Sequence, residues 1–380
     1  MIYLDNASTS FRRPQYVKEN MIKALDEFTN PNRGSYKSSY ASGLAVFGTR
    51  IMLGKFFNSK PENIIFTQNA TTSLNHCIFN LCTSKSKVIT TNIDHNAVIR
   101  PLKHIGCETV VIDVLGDTKE ILQNLENEIA NTDLFVCTHA SNVIGKTLPI
   151  KEMAAICKNN NVKFVLDIAQ SGGMLRCDIK DLGVDIMCFT GHKSLYGPTG
   201  IGGIVLSEEF LENNPNLFKP FIHGGNGIDT FNQDNRIIYP DSFDSGTLNL
   251  VGIYGLNGGV KYINEVGLEK IYFKAFGLAK SFYEEVKCIP NVKVYEGIKP
   301  RYTPVVSLNI GDVSSIDVSE ILYDEFDVAT RPGFHCAPYI HKAFGTTSQG
   351  MVRFSFSGFN TEKEVDVALE GVSHVAKKVK

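Results

Sequence analysis

From residue 64 to residue 205 the chain alternates short apolar runs with longer stretches of helical spacing, and that alternation admits few folds. The runs at 64–66, 87–90, 109–112, 134–137, 162–166 and 185–189 read as strands, with helical patterns at 71–82, 97–104, 119–130 and 150–160 between them. Strands separated by helices need crossover connections, so they pair in parallel and bury both faces. The expected class is α/β, with a mainly parallel sheet covered by helices on both sides. One more run, 200–205, reads as the last strand of that sheet. Ligands of open α/β sheets bind beyond the C-terminal ends of the strands. The residues that follow each run are therefore the candidate site.

Two strand ends carry complementary chemistry. The run at 162–166 delivers Asp167 and Gln170, and the run at 185–189 delivers Thr190, His192 and Lys193. A carboxylate beside a lysine suits pyridoxal 5'-phosphate (PLP). The lysine holds the aldehyde as a Schiff base, and the carboxylate keeps the pyridine nitrogen protonated so that the ring draws electrons. An Asp capping the next segment and a surface Lys in a glycine-rich turn would give the same letters. After 64–66 comes Thr67-Gln-Asn-Ala70-Thr71-Thr-Ser73, where small hydroxyl residues open a helix whose N-terminal N–H groups suit a phosphate. An ordinary Ser or Thr cap reads the same way. His95 could stack on a cofactor ring or move protons, or be structural; Asn142 could bond a ring hydroxyl or cap a helix. The stretch Gly197-Pro-Thr-Gly200-Ile-Gly202-Gly203 precedes a strand instead of following one, which argues against a dinucleotide fingerprint.

Beyond residue 205 the order changes. A loop rich in Gly, Asn and Asp at 223–244 leads to a long connecting helix at 251–266. Then come a helix at 268–286, strands near 291–296 and 304–310, a helix at 315–326, a strand at 327–331 and a helix at 361–376, an α+β signature. We therefore expect a large domain at 15–260 and a smaller one built from 1–14 and 261–380. In this second part Arg331-Pro-Gly-Phe-His335-Cys336-Ala-Pro338 places a cysteine between Arg and His before a helix, a setting that favours a nucleophilic thiolate. A buried inert Cys, or a metal site using His335, Cys336 and His341, also fits; no second Cys/His cluster completes such a site, and none is expected. Arg353, on the alternating run 352–356, is placed either to pair with a substrate carboxylate or to face solvent.

Charge narrows the partners. With 38 basic and 40 acidic residues well mixed and a net charge of −2, no nucleic-acid face is expected, and a small molecule or a protein is the expected partner. Nine cysteines without a C-x-x-C pair argue against a disulfide framework. With no secretory pattern at 1–15 and no run long enough to span a membrane, we expect a cytoplasmic protein.

Taken together, Leu4-Asp5-Asn6-Ala7, Asp167-Ile-Ala-Gln170, Thr190-Gly-His-Lys193, Gly197-Pro-Thr-Gly200, Ser245-Gly-Thr247 and Arg331-Pro-Gly-Phe-His-Cys336-Ala resemble the PLP-dependent cysteine desulfurases and selenocysteine lyases of the class V aminotransferase superfamily. The resemblance runs along nearly the whole chain in order. It implies PLP fold type I, with a seven-stranded sheet, a smaller domain and a homodimer. It implies Lys193 as Schiff-base lysine, Asp167 as pyridinium partner, Gln170 at the ring oxygen, Asn142 near the ring hydroxyl and substrate carboxylate, and His95 stacked on the ring. Thr71, Thr190 and His192 would hold the phosphate, with Thr247 reaching it from the other subunit. Ala70 stands where many relatives have a threonine, so one hydroxyl contact is missing there. Arg353 matches the substrate-carboxylate arginine and Cys336 the nucleophile, in a form that resembles the group-II branch. The implied reaction takes L-cysteine to L-alanine and leaves sulfur as a persulfide on Cys336 for an acceptor protein. Selenocysteine lyase, another class V aminotransferase or lyase, and a PLP-binding protein without turnover are the alternatives.

Overall fold

The computed structural model describes residues 1–31, 34–227 and 237–378. The chain opens with β1 (Ile2–Tyr3). Next come β2 (Ile64–Thr67), β3 (Lys87–Thr91), β4 (Glu108–Ile112), β5 (Leu134–Thr138), β6 (Lys163–Asp167), β7 (Ile186–Thr190) and β8 (Gly202–Leu206). These seven form one sheet in the order β2-β8-β7-β6-β5-β3-β4. Alternation along each strand feeds two cores: Phe135 and Cys137 of β5 pack on one face, Leu134 and Val136 on the other. Helices Lys37–Phe57 and Leu250–Val266 contribute to the first core; helices Ala70–Leu81 and Asn96–Ile105 cover the second face.

The sheet is α/β and mainly parallel, as expected, with one exception. β8 runs antiparallel to both β2 and β7 and sits between them. It is the last strand in sequence but an interior one in space. Its glycines explain the fit: a Cβ on Gly202 would lie 2.6 Å from the Phe189 carbonyl oxygen and 2.7 Å from Asn69 Cα. Only a strand without side chains at that point passes beneath the β2 loop.

Five further strands follow: β9 (Val292–Tyr295), β10 (Val305–Ile310), β11 (Val328–Ala329), β12 (Arg331–Gly333) and β13 (Met351–Ser355). The single strand expected at 327–331 is thus two, because the chain changes partner at Thr330. β11 pairs with β1, and β12 joins a four-stranded sheet, β12-β13-β10-β9. Helices Leu268–Val286, Ser315–Phe326 and Glu362–Lys378 close a separate core that includes Leu4. Among the described residues no helix is long and apolar enough to cross a membrane.

Candidate active site

Parallel pairing carries the ends of β3, β5, β6 and β7 to one rim of the large sheet, β2 reaches the same rim across the antiparallel β8, and the loops beyond them enclose a cavity of ≈ 320 Å³. Asp167 pairs in register with Thr138 of β5 and Cys188 of β7, which puts it at the mid-point of that rim. Lys193 follows β7 and lines the same cavity. So do Gln170, Thr190, His192, His95 and Asn142, together with Ala70 and Thr71 at the start of helix Ala70–Leu81. Cys336 and Arg353 enter from the other side, on the loop after β12 and on β13. Residue pattern alone did not bring them to the same place; the family resemblance implied it.

Electrostatics separate the two groups at the rim. Asp167 is buried and its Oδ1 accepts the Ala169 N–H at 2.8 Å. Burial pushes its carboxyl up, against that hydrogen bond and the nearby Lys193 ammonium. Burial pushes Lys193 down to about 8, with Asp167 pulling the other way. A neutral amine is therefore accessible near physiological pH. His95 is pushed down to about 4 by burial and then by the charges of Lys193, Arg100 and Arg353. Its ring is neutral at pH 7, with Nδ1 accepting the Ala97 N–H at 3.0 Å as the cap of helix Asn96–Ile105.

One wall of the cavity leaves polar atoms unsatisfied. Thr190 Oγ1 and His192 Nδ1 are buried without a hydrogen-bond partner. An unmade buried hydrogen bond costs about 1–3 kcal/mol, so such atoms persist where a ligand completes them. Beside them the helix Ala70–Leu81 begins, capped by Asn69 rather than by Ser or Thr: Asn69 Oδ1 accepts the Thr72 N–H at 3.0 Å. A helix N-terminus and two unpaired polar groups suit a phosphate. Together with Lys193 and Asp167, these residues fit PLP.

On the opposite wall, His335 and Cys336 both take left-handed backbone conformations, with φ of 50° and 55°. Each such non-glycine residue costs on the order of 1–3 kcal/mol and persists only where its surroundings over-determine it. Two hydrogen bonds do so: Asn142 Nδ2 donates to the His335 carbonyl at 2.7 Å, and the Asn96 N–H donates to the Cys336 carbonyl at 2.7 Å. Asn142 is thus a brace for the cysteine loop, not a helix cap. Cys336 itself is exposed at the cavity. His335 and His341 stack at 5.9 Å, one nitrogen of each engaged by the Arg331 carbonyl and Thr346 Oγ1. Among the described residues no group of three or more His, Cys, Asp or Glu could hold a metal ion.

Arg353 does not face solvent. Its side chain is 3% exposed, with Nη2 on Asp5 Oδ1 and Ser8 Oγ at 2.7 Å each and Nη1 on the Asn142 carbonyl at 2.9 Å. Thr247 is not brought into this cavity by its own chain; it is exposed and lines a separate hollow of ≈ 230 Å³ with Phe221 and Ile222. Sequence reasoning missed Ser8, which lines the cavity, and Asp94; Arg331, read there as a cation beside Cys336, lines the cavity too. Asp94 is fully buried before His95, where its carboxylate accepts Thr90 Oγ1, Thr91 N and Oγ1, and the Thr138 N–H. The run Thr90-Thr91 three and four residues before Asp94 was a local signal for three of these bonds; only the Thr138 donor is brought in by the sheet.

The family model Aminotransferase class-V matches residues 2–368. A probable cysteine desulfurase of Pyrococcus abyssi is 29% identical over 394 aligned residues, covering 100% of this chain and 95% of the relative. The cysteine desulfurase of Wigglesworthia glossinidia brevipalpis is likewise 29% identical, over 99% of this chain and 93% of the relative. Among solved structures, the apo cysteine desulfurase of Thermococcus onnurineus NA1 superposes with a TM-score of 0.90 at 31% identity, covering 99% of this chain and 95% of that one. With matching fold, matching order of motifs and a rim that fits PLP, the chain belongs to the class-V aminotransferase family.

Proposed function

We propose that this protein is a PLP-dependent cysteine desulfurase, which converts L-cysteine to L-alanine and retains the sulfur on Cys336 for an acceptor protein. The observation that carries the reading is the meeting of Lys193 and Cys336 on one cavity of ≈ 320 Å³, the lysine from the large sheet and the cysteine from the second. Its relatives' names and the cradle of unpaired donors support it.

When bound, PLP supplies an electron sink for charge developing at the substrate α-carbon. Lys193, Asp167 and Gln170 would hold its ring, with His95 against the face, and Thr71, Thr190 and His192 its phosphate. Lys193 Nζ, its proton affinity lowered by burial, takes and returns the proton at the α-carbon. Arg353 binds the substrate carboxylate. Cys336 Sγ, as thiolate, attacks the substrate sulfur. The new S–S bond forms as the C–S bond breaks, the electron pair stays on carbon, and protonation of that carbon gives alanine. Because two carbonyl contacts hold the His335–Cys336 turn, the nucleophile is presented without a long mobile loop. Thr247, apart from its own cavity, completes the phosphate site of a second subunit in a homodimer that works in the cytoplasm.

The test is alanine release from L-cysteine by PLP-loaded protein with a reductant as acceptor. Wild type releases alanine and Cys336→Ala falls by at least about 100-fold, the order expected on losing a nucleophile. Equal rates in both would sink the persulfide step.

A further inference from the structure

The motif Leu4-Asp5-Asn6-Ala7 has no place in the chemistry so far, yet the structure threads it through the middle of the site. Leu4 N–H donates to the Ala329 carbonyl at 2.9 Å and the Leu4 carbonyl accepts the Ser355 N–H at 2.7 Å, so Asp5 is held against β13. The same segment then crosses to the large sheet. Gln170 Nε2 donates to the Ala7 carbonyl at 3.0 Å. Ser10 N–H and Thr9 Oγ1 donate to the His192 carbonyl at 2.9 and 3.1 Å, and Ser10 Oγ donates to the Lys193 carbonyl at 2.8 Å. Residues 4–10 are a strap between the strand that carries Arg353 and the turn that carries Lys193.

Arg353 needs what this strap brings. Its guanidinium is almost fully buried, and across the β12–β13 pair the residue directly in register is another cation, Arg331. Like charges opposite each other on a sheet repel. Asp5, 14% exposed and 2.7 Å away, is the only carboxylate in ion-pair distance of Arg353 among the described residues. Ser8 closes the arrangement: its Oγ donates to Asp5 Oδ1 at 2.7 Å and accepts from Arg353 Nη2 at 2.7 Å. With Nη2 engaged by these two and Nη1 by the Asn142 carbonyl, one donor is conspicuous, the buried and unpartnered Nε–H.

We propose that Asp5 is a positioning residue for substrate binding: it is the counter-ion of the buried Arg353 and holds its fork fixed, so that the unpaired donor edge is left for the α-carboxylate of the amino-acid substrate. Asp5 touches no reacting atom; it acts through Arg353. The inference rests on the reading of Arg353 as the carboxylate contact given above.

Asp5→Asn keeps the shape and removes the charge. The expected result is a rise of about tenfold in KM for L-cysteine with kcat within about twofold, since a hydrogen bond to a charged group is weakened on the binding side only. Binding of L-alanine, followed by the absorbance of the bound cofactor, weakens by a similar factor. Ser8→Ala, which removes one acceptor and keeps the charge, raises KM by about threefold; should Asp5→Asn not fold, this variant decides the question by the same criterion. Unchanged or lower KM in both variants, or a loss confined to kcat, overturns the proposal. Arg353→Lys separates the two levels: if it leaves KM unmoved, the carboxylate reading of Arg353 itself fails, whereas a raised KM there with none in Asp5→Asn rejects Asp5 alone.

Discussion

The two rims of the large sheet differ more than their sizes suggest. At the N-terminal ends of β6 and β7 lies a groove of ≈ 820 Å³, against ≈ 320 Å³ at the C-terminal rim. The larger one is lined by charges that satisfy each other: Lys158 pairs with Glu209 at 2.7 Å, and Lys180 with Glu208 at 2.8 Å. The smaller one keeps Thr190 Oγ1, His192 Nδ1 and Arg353 Nε buried and unpaired, with a lysine of lowered proton affinity beside them. Volume does not make a site. Unsatisfied, dehydrated polar groups do, because their cost is recovered only when something binds.

That contrast can be broken by substitution. Thr190→Val should weaken PLP binding by about tenfold while the cofactor-free protein melts no lower than wild type, because the hydroxyl has no partner to lose in that state. Fluorescence titration with PLP and a melting curve of the apoprotein measure the two halves. A lower melting temperature with unchanged PLP affinity would show the hydroxyl to be a structural group.

Acid titration sharpens it further. His76, His95, His139 and His192 are each pushed down to about 4 by burial, from 6.5. Between those values the unfolded chain binds more protons, so stability rises with pH from about 4 to 6.5. Asp94, pushed up to about 6 by burial, contributes with the opposite sign over pH 4–6, since there the folded state holds the extra proton. Burial likewise lowers His335 and His341 and raises Asp167, Asp185 and Asp244, so six imidazoles stand against four carboxyls and the net sign is that of the imidazoles. The apoprotein should lose on the order of 5 °C or more in Tm between pH 6.5 and 4.5. A flat or inverted profile would mean that these imidazoles are not buried neutral in solution.

The smallest effect belongs to the opposite rim. Glu209→Gln removes an ion pair whose partners are 66% and 62% exposed, and should change stability by less than about 0.5 kcal/mol. Denaturant unfolding and the alanine assay should both read close to wild type. A clear loss of activity there would erase the distinction between the rims.

The α/β class and the rim residues of the parallel strands were legible in the sequence for one reason, while the seven-stranded sheet was implied by the family resemblance. Strand ends in a parallel sheet converge whatever the loops do, so Asp167, Lys193, His95 and Asn142 could be assigned to one rim from their distance past each apolar run. The antiparallel placement of β8 was not legible: its apolar run carries no mark of direction, and the clue lay in Gly202, whose missing side chain matters only against Phe189 and Asn69. Nor was the partner of Arg353. Its alternating strand left burial and exposure equally open, and Asp5 is 348 residues away in the chain.

The sequence by itself determined the periodicities, the order of the motifs and the chemical types available at each strand end, because these depend on residues close together in the chain. Tertiary structure alone decided which groups share a cavity and which are left unpaired. Cys336 meets Lys193 only because a second sheet packs on the rim. Its left-handed turn holds only because Asn96 and Asn142, from two different strand ends, reach its carbonyls. Burial and mutual orientation are properties of the assembled surfaces, and they set both the proton affinity of Lys193 and the counter-ion of Arg353.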